Sequence, residues 1–165
     1  LPRADEEAEP AFFHHPGDTV PRVERAGVRL DVVAGTAHGV ASPVRVHSPT
    51  LYVAATLQAG AMQAVDTGHE ERAVYVADGL LDIDGARLGS GQMAVFTPGA
   101  AVVLEALADT RAMLLGGAPL DGPRHLWWNF VASAPDRIER AKRDWREGRF
   151  ALPPGETESI PLPER

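Results

Sequence analysis

The chain has 165 residues, of which 44% are hydrophobic and 24% charged, with a net charge of -7 and no cysteine. This length and composition predict one folded domain, and the acidic charge argues against direct nucleic-acid binding, which needs clustered Lys and Arg. The missing cysteine excludes disulfides and thiolate catalysis, and no apolar run approaches the roughly 20 residues of a membrane helix, so we expect a cytoplasmic protein without membrane contact.

Residues 1–21 predict an extended arm that resembles an interdomain linker. Four prolines interrupt this acidic segment, and proline suits neither a helix interior nor a central strand. Phe12 and Phe13 predict that the arm lies against a surface, because large apolar rings are usually covered. The adjacent His14 and His15 would point to opposite sides of an extended chain, so they do not predict a metal pair.

Residues 22–132 predict a series of short strands separated by glycine and proline turns. Ala26-Gly27 and Asp84-Gly85 are typical of hairpin turns, and 35–39 of a loop. The strand candidates are 44–46, 51–57, 73–77, 81–83, a buried strand at 93–96, 102–104 and 111–115. Short strands at this spacing indicate an all-β sandwich or barrel.

Residues 133–149 predict one amphipathic helix. Ser133 followed by Pro135 is typical of a helix N-terminus, and Gly148 of a helix end. The apolar stripe of this helix consists of Ile138, Ala141 and Trp145. Acidic residues offset its basic ones, which favours a solvated face over a nucleic-acid patch. The proline-rich residues 150–165 predict an extended tail.

The stretch from Gly60 to Gly79 resembles the first motif of the cupin superfamily: a glycine, five residues, His-x-His, three or four residues, Glu, about six residues and a second glycine. The segment GGAPLDGP at 116–123, the run RHLWWNFV at 124–131 and the proline-rich ending resemble the C-terminal domain of pirin-type bicupins. The similarity covers essentially the whole chain. It implies an all-β cupin fold, a double-stranded β-helix or jelly-roll barrel, with one C-terminal α-helix.

The resemblance also implies where the family's chemistry lies. Pirin-like proteins carry a metal, usually iron or another divalent ion, in the N-terminal barrel, where three His and one Glu hold it. Some members are quercetin dioxygenases and others are transcriptional cofactors, and the second barrel usually lacks the metal.

The metal ligands of the cupin motif are largely absent from this chain. The two ways of counting from the glycines place the motif histidines at Asp66 and Gly68 or at Val65 and Thr67. The motif glutamate falls on Glu71 or Arg72, and the last motif histidine falls among Ala101, Val102 and Val103. At most one of four ligands remains, and catalytic iron or zinc needs about three. We therefore expect no metal and no other cofactor in this chain.

A displaced metal site is the alternative. If residues 65–71 form a regular strand, His69 and Glu71 share a face, and His47 or His125 could supply a third ligand. His47 precedes Ser-Pro, which is more typical of a turn residue. His125 lies beside two tryptophans that could line a pocket, although large aromatic residues more often anchor a segment.

Three functions remain open from the sequence. The favoured one is a metal-free domain with a structural or binding role, which supports an N-terminal cupin barrel or forms a homodimer. The second is a metal-dependent dioxygenase of the quercetinase type that acts on a small aromatic substrate. The third is a small-molecule sensor that uses the barrel interior.

Overall fold

The computed structural model describes residues 1–152, 155–158 and 160–163. The chain forms two compact units. One contains Leu1 and Ala8–Pro119, and the other contains Pro2–Glu7 together with the chain from Leu120 onwards. Within the described ranges, no helix is long and apolar enough to cross a bilayer.

The first unit consists of two antiparallel sheets. Its strands are β1 (Arg22–Arg25), β2 (Val28–Ala37), β3 (Val40–Ala41), β4 (Thr50–Leu57), β5 (Met62–Ala64), β6 (Glu71–Asp78), β7 (Leu80–Ile83), β8 (Ala86–Gly89), β9 (Met93–Phe96), β10 (Val103–Ala106) and β11 (Thr110–Gly117). One sheet has the order β1-β2-β4-β11-β6-β9, with β3 beside β2, and the other has the order β5-β10-β7-β8. From β4 onwards the chain passes repeatedly between the two sheets, which is the predicted jelly-roll fold.

Aliphatic side chains from both sheets fill the interior of this unit. Alternate residues of each strand point inward, because strand side chains have a period of two. Leu30, Val53, Val74, Leu104 and Leu114 have no exposed surface. The interior is therefore a packed apolar core.

Both predicted hairpin turns are confirmed. Ala26-Gly27 joins β1 to β2, and Arg25 pairs with Val28 across the turn. Asp84 and Gly85 have φ values of 53° and 85°, and this pair of positive angles is the backbone that favours Asp-Gly between twisted strands.

Two strand predictions need correction. Residues 44–46 form no strand: the chain bends at 43–44, and the Val44 amide bonds to Ser42 Oγ at 3.2 Å. Residues 93–96 do form β9, but this strand is not buried: it lies at the sheet edge, and Met93 and Val95 point outward with 51% and 77% of their surface exposed.

The second unit contains a small hairpin and a helix. Strands β12 (His125–Trp127) and β13 (Phe130–Ala132) pair with each other, and α1 spans Pro135–Arg146. Gly148, with φ of 65°, follows the helix, and its amide bonds back to the Trp145 carbonyl. The next amide, of Arg149, bonds to the Asp144 carbonyl, so both bonds of a Schellman end are present.

Ser133 does not cap the helix as its sequence position suggested. Ala134 is the N-cap, and the Ser133 amide and hydroxyl donate to the Glu6 carboxylate at 2.8 and 2.6 Å. Arg124 and Arg137 lie 3.6 and 3.5 Å from the same carboxylate. The hydrogen bond from the Ser133 hydroxyl is the largest of the contacts that lower the pKa of Glu6. Part of the predicted arm is thus fixed to the C-terminal helix.

The tryptophans of the second unit pack against other rings. The cluster consists of Trp127, Trp128, Phe130, Trp145 and Phe150, with centroid separations between 5.1 and 6.3 Å. Lys142 Nζ lies 4.3 Å from the centre of the Trp127 ring, a distance typical of a cation–π contact. The rings hold the hairpin, the helix and the start of the tail together.

Candidate functional site

The cupin-like motif spans β5, the segment after it and β6 of the first unit, and its two glycines make the expected turns. Gly60 and Gly79 have φ values of 82° and 101°, which favour glycine over other residues. The segment between these glycines does not contain a regular strand at 65–71. After β5 the chain is irregular from 65 to 70, and β6 begins only at Glu71. The premise of the displaced metal site is therefore wrong.

The structure resolves which residue occupies the position of the motif glutamate. Along β6, Arg72 points inward and is 1% exposed, whereas Glu71 points outward. Six residues separate Arg72 from Gly79, as in the motif, and the same register places Asp66 and Gly68 at the histidine positions. A buried cation replaces the expected carboxylate.

The Arg72 guanidinium donates to main-chain carbonyl oxygens. Its Nη2 bonds to the Ala100 oxygen at 2.7 Å and more weakly to the Thr97 oxygen at 3.5 Å. Its Nη1 reaches the Asp66 oxygen at 3.4 Å. Nε is buried and has no hydrogen-bond partner within the described part of the chain. The side chain thus joins the loop before β6 to the loop after β9.

Apart from Asp66, the remaining ligand positions in this register carry no side-chain donor for a metal. Val102, among the candidates for the last motif histidine, is 7% exposed and belongs to the core, as does Val65 at 3%. Gly68 offers no side chain, and its amide donates to Asp66 Oδ1 at 2.7 Å. One carboxylate beside two aliphatic residues and a guanidinium does not match the His and carboxylate sets that hold catalytic iron or zinc.

The Asp66 carboxylate is itself engaged in holding the loops. Besides Gly68, it accepts the His38 amide on Oδ2 at 2.7 Å. Burial raises the pKa of Asp66, but the two amide bonds and the nearby histidines outweigh it, so the pKa is lowered overall. Asp66 therefore remains ionised as a fixed hydrogen-bond acceptor.

The four candidate ligands of the displaced site do not converge. His69 is 8% exposed, and its Nε2 lies 2.9 Å from the Thr36 carbonyl oxygen, so this nitrogen carries a proton. Glu71 and His47 are exposed on the first unit, and His125 is exposed in β12 of the second. Across the described ranges, no group of three or more His, Asp or Glu side chains is arranged to hold a metal ion.

Sequence reasoning missed His38. The predicted loop at 35–39 is shorter than expected, because β2 continues to Ala37 and the chain turns at His38-Gly39. His38 has φ of 51°, and desolvation lowers the pKa of its imidazole. The available signal was its position before a glycine between two apolar segments, which is typical of a hairpin turn.

Comparison with known proteins identifies the family of this fold. Residues 52–151 match the family model described as the Pirin C-terminal cupin domain. A pirin-like protein of Caulobacter vibrioides is 47% identical over 99% of this chain and 57% of its own length, and Pirin-1 of Arabidopsis thaliana is 25% identical over 90% and 55%.

A crystal structure of quercetin 2,3-dioxygenase from Acinetobacter baumannii superimposes with a TM-score of 0.84 and 29% identity, over 100% of this chain and 57% of that one. The chain thus spans about half the length of the curated relatives it matches. The family model covers more than half of the chain, on a jelly-roll whose motif glycines are in place. We conclude that the chain belongs to the pirin family, as a pirin C-terminal cupin domain.

Proposed function

We propose that this domain works without a metal, as a structural and binding domain that supports a second cupin barrel. The observation that carries the proposal is the position of Arg72, whose buried guanidinium occupies the register of the motif glutamate. The same side chain ties two loops at the end of the barrel. The position that would hold a ligand has therefore become part of the scaffold.

Electrostatics supports this proposal. An arginine side chain stays charged throughout the ordinary pH range, so it does not neutralise itself to admit a second cation. Unit charges about 4 Å apart repel by about 4 kcal/mol at an effective dielectric constant near 20, and a divalent ion doubles that figure. Val65 and Val102 offer nothing to offset the repulsion, because both are aliphatic and buried, and the Asp66 carboxylate is already bonded to two main-chain amides.

The outer face of the larger sheet supports the binding role. Tyr52, Met93 and Val95 are 36%, 51% and 77% exposed on β4 and β9. A depression of about 460 Å³ beside them is lined chiefly by apolar residues, including Phe96 and Leu115. Contiguous apolar surface of this kind marks interaction sites in proteins that are otherwise well packed.

We assign this face to a second barrel of the same fold. The curated relatives are nearly twice as long as the chain, so a neighbouring domain is available to them. In a preparation of this chain alone, a second copy takes that place and forms a homodimer. Dioxygenase chemistry like that named for the Acinetobacter baumannii structure would then belong to the neighbouring barrel.

The substitution Met93→Glu is expected to weaken the homodimer by at least about 100-fold, because a carboxylate would lose its hydration inside an apolar contact. Met62→Glu is the matched control, since Met62 is 64% exposed in the other sheet. Light scattering over a concentration series measures both. A wild-type chain that stays monomeric at high concentration, or equal effects of the two variants, would count against this surface.

A further inference from the structure

The end of the tail lies across a groove of the C-terminal unit. Trp145 and Phe150 form apolar walls, together with Leu152 and the chain around Gly148. Residues 160–162 complete the lining, and a cavity of about 340 Å³ remains between tail and groove. The tail covers this groove without filling it.

One directional bond fixes the tail. The Trp145 indole Nε1 donates to the main-chain carbonyl oxygen of Ile160 at 2.7 Å. A main-chain carbonyl is present in every peptide, so this bond recognises an extended backbone and not one particular side chain. Aromatic-lined grooves hold extended proline-rich peptides in several small domains.

The sequence of the tail suits such a groove. Pro161 and Pro163 restrict their own φ angles and bias Ile160 and Leu162, which precede them, towards extended backbone. An extended segment of this kind loses little conformational entropy when it docks. Leu162 is half-buried, whereas Ile160 is 67% exposed. The contact thus rests on the Ile160 carbonyl and on the lining residues 160–162, of which Leu162 is half-buried.

We propose that this groove is a docking site for an extended peptide of the type apolar-Pro-apolar-Pro, and that residues 160–163 of the chain are its intramolecular occupant. Ile160 lies 15 residues from Trp145 along the chain, and tethers this short give effective concentrations in the millimolar range. The docked tail therefore prevents weakly binding peptides from entering the groove. A partner peptide occupies the groove only when the tail is displaced or when that peptide binds more tightly than the tail.

The test uses a fluorescent peptide with the sequence of residues 157–163 and the full chain in two forms. The variant Leu162→Glu undocks the tail by placing a charge against the apolar walls. We expect the labelled peptide to bind this variant at least about tenfold more tightly than the wild type, measured by fluorescence anisotropy, because the intramolecular competitor is gone. Far-UV circular dichroism confirms that the variant remains folded.

Two further comparisons separate groove binding from non-specific adhesion. Adding Trp145→Phe to the undocked variant keeps an aromatic wall but removes the N–H donor, so peptide affinity should fall several-fold. A peptide with both prolines replaced by alanine should also bind more weakly. Equal binding by wild type and Leu162→Glu, equal binding of the proline-free peptide, or no binding to either form at millimolar peptide would overturn the proposal. None of these readouts depends on metal content or on the sheet face that contains Met93.

Discussion

The substitution Arg72→Ala is expected to lower the free energy of unfolding by roughly 3–5 kcal/mol, the range of a large buried side chain removed with its hydrogen bonds. The side chain is 1% exposed, and its best bond is the one to the Ala100 oxygen at 2.7 Å. Without it, carbonyl groups in two loops lose their donor and a cavity remains. Urea denaturation of the variant and wild type measures the difference.

Arg72→Lys is the matched control for this change. Lysine keeps the charge and most of the stem, but its ammonium cannot copy the planar fork that reaches separate carbonyls. We expect a loss of about 1–3 kcal/mol, between wild type and alanine. If the free energy of unfolding of Arg72→Ala lies within about 1 kcal/mol of the wild-type value, the guanidinium does not hold these loops. That result would contradict the role given to Arg72.

The substitution Gly79→Ala is expected to cost at least about 3 kcal/mol, because backbone strain and overlap act together. Gly79 has φ of 101°, and an added Cβ would lie 2.4 Å from Thr110 Oγ1 and 2.5 Å from the Asp109 carbonyl oxygen. The overlap involves main-chain atoms, so it cannot be relieved by a side-chain rotation. Thermal and urea unfolding should both show the loss.

The variant Gly85→Ala separates the cost of backbone strain from the cost of steric overlap. Gly85 has a similar φ of 85°, but a Cβ there meets nothing within 4 Å. We expect a cost of only about 1 kcal/mol from the positive φ alone. Equal destabilisation by the two alanine variants would mean that close packing at Gly79 does not stabilise the barrel.

The turns and most strands were predictable from the sequence because their signals are local. Asp84-Gly85 determines its own backbone, and the alternating residues of β4 and β6 show which side faces the core. The family resemblance added the jelly-roll fold. Exposure along β9 was harder to predict, because its apolar residues are typical of a buried strand although β9 lies at a sheet edge.

The details of the candidate site could not be read from the sequence. Whether Glu71 or Arg72 faces the interior depends on where β6 begins, and the bend before it changes the register. The contacts of Ser133 with Glu6 span 127 residues, and that of the His38 amide with Asp66 spans 28. No local pattern encodes partners at such separations.

Bound metal is the measurement that tests the central claim most directly. The purified chain is incubated with iron(II), nickel(II) or zinc(II), freed of excess ion, and analysed by inductively coupled plasma mass spectrometry. Because Arg72 occupies the register of the motif glutamate and Val102, a candidate position of the last motif histidine, is buried in the core, we predict metal far below one ion per chain. A stoichiometric ion that is lost in His69→Ala would contradict the account, since it would show that a displaced site assembles despite the buried guanidinium.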